Sequence, residues 1–287
     1  MIEFFTHVLS GVAVGCGFAL VGSGLVAVYR VTGVVNFAQG MFAVVGGLCA
    51  SAFLTAGLWH GVAELSAVAV AGAVGALTWA LALGKPGTSA MNALIVTLAV
   101  GFLGYAVLVS VFGDTPRSST GLAGMTSVFG VPVRTHHLLV IGVTAVVFVL
   151  LWLFLTRTYL GKALTACATN PYAARVIGVP VARMALFAFV LGGILGGLAG
   201  VLLVPLRPMS FNSDVSLIVH GFAAAILGGL TRPMVALAGG VVLGVVESLV
   251  AGYANPAHQT MVALLVMLVV MVWHAARRPT LHQEVTV

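Results

Sequence analysis

The sequence predicts an all-α protein that crosses a membrane about eight or nine times. Of its 287 residues, 61% are apolar and only 6% are charged, whereas a soluble domain carries about 25% charged residues. The apolar residues form long runs, unlike the ~10-residue alternating segments of a membrane β-barrel. These observations exclude a soluble enzyme, and they exclude disorder because disordered chains are poor in apolar residues. We expect a single transmembrane domain over residues 1–287.

Nine apolar segments, separated by polar residues or by Gly and Pro, approach the ~20 residues that a membrane-spanning helix needs. They are 8–29, 36–58, 63–83, 92–112, 138–156, 184–206, 217–230, 234–253 and 258–274. The seventh is short and either crosses or re-enters the membrane, which leaves the number of spans at eight or nine. Polar residues near the start of the second predict a broken helix there.

The distribution of Lys and Arg predicts the orientation, because basic residues favour the cytoplasmic connections. If the connection 157–183 is cytoplasmic, the basic residues on that side are Arg30, Lys85, Arg157, Lys162, Arg175, Arg183, Arg232, Arg277 and Arg278. The other side holds only Arg117, Arg134 and Arg207. We therefore expect the N-terminus outside and the C-terminus in the cytoplasm. The basic residues are too scattered to follow a phosphate backbone, so no nucleic-acid partner is expected.

Two segments carry glycines at helical spacing. Gly192, Gly196 and Gly200 recur every four residues, as do Gly240 and Gly244. A glycine-lined face lets two helix backbones approach closely in a membrane. We expect these faces to pack within the subunit, with packing against another chain as the alternative.

The connection 157–183 contains the signals of a short helix. Asn170 can cap it, Pro171 suits its first position, and Gly178 provides a left-handed stop. Between them lie Tyr172, Ala173, Ala174 and Arg175. A helix of about two turns is not stable alone in water. It must dock, either on lipid headgroups or on a partner protein.

Four polar residues lie where the bilayer should be apolar. Asn36 and Gln39 stand at the start of the second segment, and His220 and Glu247 lie in the seventh and eighth. Polar groups at membrane depth either line a pathway or pair within the bundle. For Asn36 and Gln39 both interpretations stay open. Glu247 is expected to pair with a basic or hydroxyl group across the bundle, and His220 also to be structural.

Several motifs, in order along almost the whole chain, resemble the permeases of branched-chain amino-acid (and urea or amide) ABC importers. They are Val34-Val35-Asn36-Phe37-Ala38-Gln39-Gly40, Gly161-Lys162-Ala163, the stretch 222–229, and Gly240, Gly244 and Glu247. The spacing Tyr172-Ala173-Ala174 to Gly178 also resembles the coupling loop of ABC permeases, with Tyr where Glu is usual. Gln39 replaces the usual His, and His220 stands where Lys is common.

This resemblance implies a function and a set of partners. Residues Asn170 to Gly178 would couple to two cytoplasmic ATP-binding subunits, which would hold ATP and Mg. A second permease, homologous rather than identical, and a periplasmic or lipid-anchored solute-binding protein would complete an importer in the bacterial inner membrane. Asn36, Phe37, Gln39, Gly40, His220 and Glu247 are the candidate pathway residues.

The chain shows no catalytic motif of its own. Neither Lys85 nor Lys162 lies in a P-loop, and no metal-ligand motif or nucleophile elbow is present. We expect no enzyme activity, cofactor or metal in this chain. The alternative functions are an ion-coupled transporter or channel that works without an ATPase, and a membrane scaffold. The residues leave the solute open among amino acids, urea, short amides and aromatic acids.

Overall fold

The structure is a computed structural model that describes residues 2–85, 87–128, 130–230, 232–254 and 258–277. Within these ranges the chain forms helices and one short hairpin. The helices are α1 (Ile2–Thr32), α2 (Gln39–Thr55), α3 (Val62–Leu83), α4 (Ala90–Phe112), α5 (Thr135–Arg157), α6 (Tyr159–Thr169), α7 (Pro171–Val176), α8 (Val181–Leu203), α9 (Ser213–Leu227), α10 (Pro233–Tyr253) and α11 (Gln259–Arg277). Arg278, which contributed to the predicted orientation, lies outside the described residues.

Each of the nine predicted apolar segments coincides with a helix. In the part of the chain that the structure describes, six helices are long and apolar enough to cross a membrane, namely α1, α3, α4, α5, α8 and α10. The apolar helices α2 and α9 are shorter, with 17 and 15 residues. The architecture is that of a polytopic helical membrane protein, and the short seventh segment is α9.

A β-hairpin between α4 and α5 was not predicted. Strands β1 (Met125–Val128) and β2 (Val131–Arg134) pair antiparallel, with Met125 opposite Arg134. Along β2, buried Val131 and Val133 alternate with exposed residues, so one face of the strand covers the bundle. The all-helical fold class holds for the bundle, and this hairpin is an addition that the sequence did not indicate, because strands of four residues carry too little pattern to detect.

Helix α1 lies in the interior and packs antiparallel to α10. Gly11 of α1 faces the backbone of Gly244, and Gly15, one turn further along α1, faces Gly240, one turn earlier in α10. A Cβ atom on Gly11 would lie 2.7 Å from the Gly244 carbonyl oxygen. The two helices can therefore be this close only because their contact positions lack side chains.

Helix α8 occupies the middle of the bundle and uses glycines on two sides. Gly192, Gly196 and Gly200 face α1 and α2, while Gly193 and Gly197 face α3. The structure places the predicted packing residues Gly192, Gly196 and Gly200 in contacts within the subunit. Together with Gly193 and Gly197, they fix the distance of α8 from three neighbours at once.

The chain between α1 and α2 is not helical. Gly33, with φ of 68°, ends α1, and residues 34–38 lead to the first turn of α2 at Gln39. Gln39 contacts Gly192, the central residue of α8, so α2 begins about halfway along α8. The predicted interruption of the second segment is thus a late helix start, which shortens α2 to 17 residues.

We predict that Gly200→Ala destabilises the protein. An added Cβ would overlap the Ala43 carbonyl oxygen of α2, and such overpacking typically costs about 1–3 kcal/mol. Gly142 in α5 is the matched control, because a Cβ there meets nothing within 4 Å. Thermal unfolding in detergent should show a lower Tm for Gly200→Ala and an unchanged Tm for Gly142→Ala. Equal Tm values for the two variants would contradict the close packing of α2 and α8.

Candidate functional site

The predicted short helix is present as α7, and its sequence signals act as expected. The Asn170 side-chain oxygen accepts hydrogen bonds from the backbone N–H groups of Tyr172 and Ala173, both at 3.0 Å. Pro171 occupies the first helical position, where no donor is needed. Gly178, with φ of 87°, ends the helix, and the Val179 N–H closes it by donating to the Ala174 carbonyl. These contacts hold a helix of only six residues in place.

One side of this segment is buried and the other is exposed. Ala174 is 2% exposed and belongs to an apolar cluster that joins four helices. We call this set the α7 cluster, and its buried members are Val31, Leu164, Cys167, Ala174, Met184, Ala185 and Ala188. On the other side Tyr172, Val176 and Ile177 are 72% to 75% exposed. Val176 and Ile177 thus leave an apolar surface open in a connection outside the six candidate membrane-spanning helices.

A second helix in the same connection was not predicted. Helix α6 directly follows α5, and Thr158 caps it by accepting a hydrogen bond from the Gly161 N–H at 3.0 Å. Its buried residues Leu164 and Cys167 belong to the α7 cluster. Burial raises the pKa of the Cys167 thiol, which keeps it a neutral packing group. Thr158 before an apolar stretch was the sequence signal that could have located this helix.

The two amide residues form a fully buried cluster at the start of α2. The Gln39 Nε2 atom donates to the Gly192 carbonyl at 2.9 Å, and the Asn36 Nδ2 atom donates to Gln39 Oε1 at 3.4 Å. The Asn36 Oδ1 atom in turn accepts from the Ala38 N–H at 3.1 Å. Both side chains are 0% exposed. They tie the non-helical segment to α8 and satisfy polar groups that would otherwise be orphaned.

Phe37 and Gly40, which lie next to these amide residues in the chain, contact other helices. Phe37 is 41% exposed, and its N–H donates to the Thr97 hydroxyl of α4 at 3.3 Å. Gly40 packs against the Asp214 carbonyl at the start of α9. The segment 36–40 thus contacts α4, α8 and α9 together, and it presents one aromatic side chain at the surface of the subunit.

His220 and Glu247 are brought together in the interior. The His220 Nε2 atom lies 2.8 Å from the Glu247 Oε1 atom, and both side chains are almost fully buried. The His220 ring stacks on Phe18 of α1, with ring centroids 4.5 Å apart. Glu247 also lines a cavity of about 330 Å³ with the polar residues Ser10 and Arg207. The pair is therefore packed against α1 on the His220 side and adjoins a polar cavity on the Glu247 side.

The comparisons with known proteins agree on one family. The profile of the family described as "Branched-chain amino acid transport system / permease component" matches residues 7–271. A probable branched-chain amino acid transport permease protein LivH of Methanocaldococcus jannaschii is 32% identical over 84% of this chain and 79% of its own. The high-affinity branched-chain amino acid transport system permease protein LivH of Escherichia coli K12 is 26% identical over 94% of this chain and 93% of its own.

A solved structure shows the same fold at low sequence identity. The chain in PsaBC from Streptococcus pneumoniae, determined in complex with a Fab, superposes with a TM-score of 0.53. It is 14% identical, and the superposition covers 93% of this chain and 90% of that one. This likeness concerns the arrangement of the helices only.

We predict that Glu247→Gln keeps most transport, whereas Glu247→Leu lowers stability strongly. Gln retains the size and one acceptor opposite His220, while Leu leaves the buried His220 Nε2 atom without a partner, and an unsatisfied buried polar group typically costs about 1–3 kcal/mol. Thermal unfolding and solute uptake check this. Loss of uptake in Glu247→Gln at an unchanged Tm would contradict the packing role and place Glu247 in the pathway.

Proposed function

Because this chain belongs to the family of branched-chain amino acid transport system permease components, we propose that it forms the translocation pathway of an ATP-driven importer. A binding protein would deliver a branched-chain amino acid or a related small polar solute. The observation that carries this proposal is the capped helix α7 with its exposed apolar side chains. It supplies what a membrane subunit without its own P-loop needs, namely a docking surface for a separate motor.

The coupling segment would be residues Asn170 to Gly178. Tyr172, Val176 and Ile177 are exposed, and a cleft in a cytoplasmic ATP-binding subunit would cover them. ATP and Mg would be held by two such subunits. Their closure would move α7, and the α7 cluster would pass the movement to Val31 of α1 and Met184 of α8. Helix α7 would then bias the bundle between two states.

The pathway itself would form between this subunit and a second, homologous permease. The segment Asn36, Phe37, Gln39 and Gly40 lies at the start of α2, at the middle of α8, which is the depth at which non-helical backbone serves transporter sites. Asn36 and Gln39 would hold this segment in place, and Phe37 would face the pathway. His220 and Glu247 would adjoin it through the polar cavity described above.

The orientation predicted from the basic residues belongs to this proposal. The N-terminus would lie outside, and the C-terminus and α7 would lie in the cytoplasm of a bacterial cell with the subunit in the inner membrane. An importer driven by cytoplasmic ATP needs α7 on this side of the membrane.

The coupling proposal predicts that the double variant Val176→Asp, Ile177→Asp inserts normally but loses ATP-driven uptake. The loss should be at least about tenfold, since a central apolar interface residue typically contributes ~2 kcal/mol. Tyr159→Asp is the matched control, because Tyr159 is 92% exposed at the same end of the bundle but outside α7. Uptake and co-purification of the ATP-binding subunit are measured together. Full uptake in the double variant, or equal loss in Tyr159→Asp, would contradict a docking role for α7.

The orientation predicts the labelling of single cysteines by a membrane-impermeant maleimide. Glu3→Cys should react in intact spheroplasts, whereas Tyr172→Cys should react only after the membrane is permeabilised. The parent chain serves as the blank, because Cys16 and Cys167 are buried and Cys49 is partly buried. The opposite labelling pattern would reverse the proposed topology.

A further inference from the structure

A cavity of about 710 Å³ lies at the end of the bundle that carries α7. It is bounded by the last residues of α1 and α3, the connection between α3 and α4, the helices α6 and α7, and the start of α8. It is separate from the exposed face of α7 formed by Tyr172, Val176 and Ile177. None of the candidate pathway residues lines it.

The charged side chains of this cavity all have the same sign. Arg30, Lys85 and Arg175 line it, and the described lining contains no carboxylate. Five of the six acidic residues are Glu3, Glu64, Asp114, Asp214 and Glu247, which lie towards the opposite end of the helices or in the interior. The sixth, Glu284, lies outside the described residues. The chain therefore places a positive potential here without an internal counter-charge from the residues that the structure describes.

Among the basic residues of this cavity, Arg30 is a partly buried cation without a partner of opposite charge in the part of the chain that the structure describes. Its side chain is partly buried, and its electrostatic neighbour is another cation, Arg232. Across the described residues, no hydrogen bond or ion pair involves the Arg30 guanidinium. Removing a cation from water without a partner is costly, so buried charges are normally paired. An anion from outside the chain would supply the missing partner.

The ring of Trp79 contributes to the lining, but its indole N–H does not open into the cavity. That nitrogen is buried, and no acceptor for it occurs in the described part of the chain. The donor that a ligand in the cavity would meet is therefore the Arg30 guanidinium, which indicates a ligand with acceptor oxygens.

The remaining wall of the cavity is apolar. Val31, Leu83, Val181 and Ala185 contribute to it. A free inorganic anion would leave this wall uncovered. A molecule with phosphate oxygens at one end and hydrocarbon at the other matches both the basic side and the apolar wall of the cavity.

We infer that this cavity binds the phosphate headgroup of an anionic phospholipid, with part of an acyl chain along the apolar wall. Arg30 holds the phosphate oxygens, and Lys85 and Arg175 add attraction. Because Cys167, Pro171 and Arg175 belong to α6 and α7, the bound lipid also braces the base of the coupling segment.

The test is native mass spectrometry of the full chain in detergent, titrated with phosphatidylglycerol or with phosphatidylcholine of the same acyl chains. We expect phosphatidylglycerol to be retained and phosphatidylcholine not. Arg30→Gln should weaken phosphatidylglycerol binding about fivefold, since each basic residue near an anionic headgroup contributes roughly one factor of that size. Trp79→Phe, which keeps a ring and removes only the buried N–H, should leave it unchanged.

Arg157→Gln is the matched control, because Arg157 lies at the same end of the bundle but does not line the cavity. It should bind phosphatidylglycerol as the parent does. Equal retention of both lipids, or equal weakening by Arg30→Gln and Arg157→Gln, would overturn the inference. Displacement of the lipid by millimolar inorganic phosphate would overturn the lipid assignment and indicate a site for the free anion. Circular dichroism of each variant confirms that it is folded.

Discussion

Close contact between helix backbones at glycine is the interaction on which the rest of this structure depends. In lipid, apolar side chains gain little by leaving one hydrocarbon surface for another, so helices associate through packing. Gly11 and Gly15 against Gly244 and Gly240 bring α1 and α10 together, and Gly200 brings α8 against α2. These contacts leave no room for a side chain between the helix backbones. They fix the spacing of the interior helices.

The packing of the interior helices determines where the functional segments lie. Because α2 starts at the middle of α8, the chain before it must run without helical hydrogen bonds, and the Asn36–Gln39 cluster satisfies the polar groups there. At the end that carries α7, packing is made by the buried α7 cluster, which joins α7 to α1, α6 and α8. This cluster therefore links α7 by side-chain packing to two of the interior helices, α1 and α8.

Local signals in the sequence predicted much of this arrangement. Asn170, Pro171 and Gly178 form the two ends of α7 through contacts with residues only a few positions away, so the sequence was sufficient to locate this helix. The nine apolar segments also all coincide with helices. Helix α6 was missed because a single residue separates it from α5, and the hairpin because its strands are too short. The partner of Glu247 could not be identified, since His220 lies in α9 and reaches Glu247 of α10 only through the packing of these two helices.

The central claim is that the energy for transport enters through α7 from separate ATP-binding subunits. The most direct measurement is solute uptake into proteoliposomes that contain the purified permeases and binding protein, with and without those subunits and with an imposed ion gradient. The account predicts uptake only when the ATP-binding subunits and ATP are both present. Uptake driven by the gradient alone, with no nucleotide-hydrolysing partner, would contradict it.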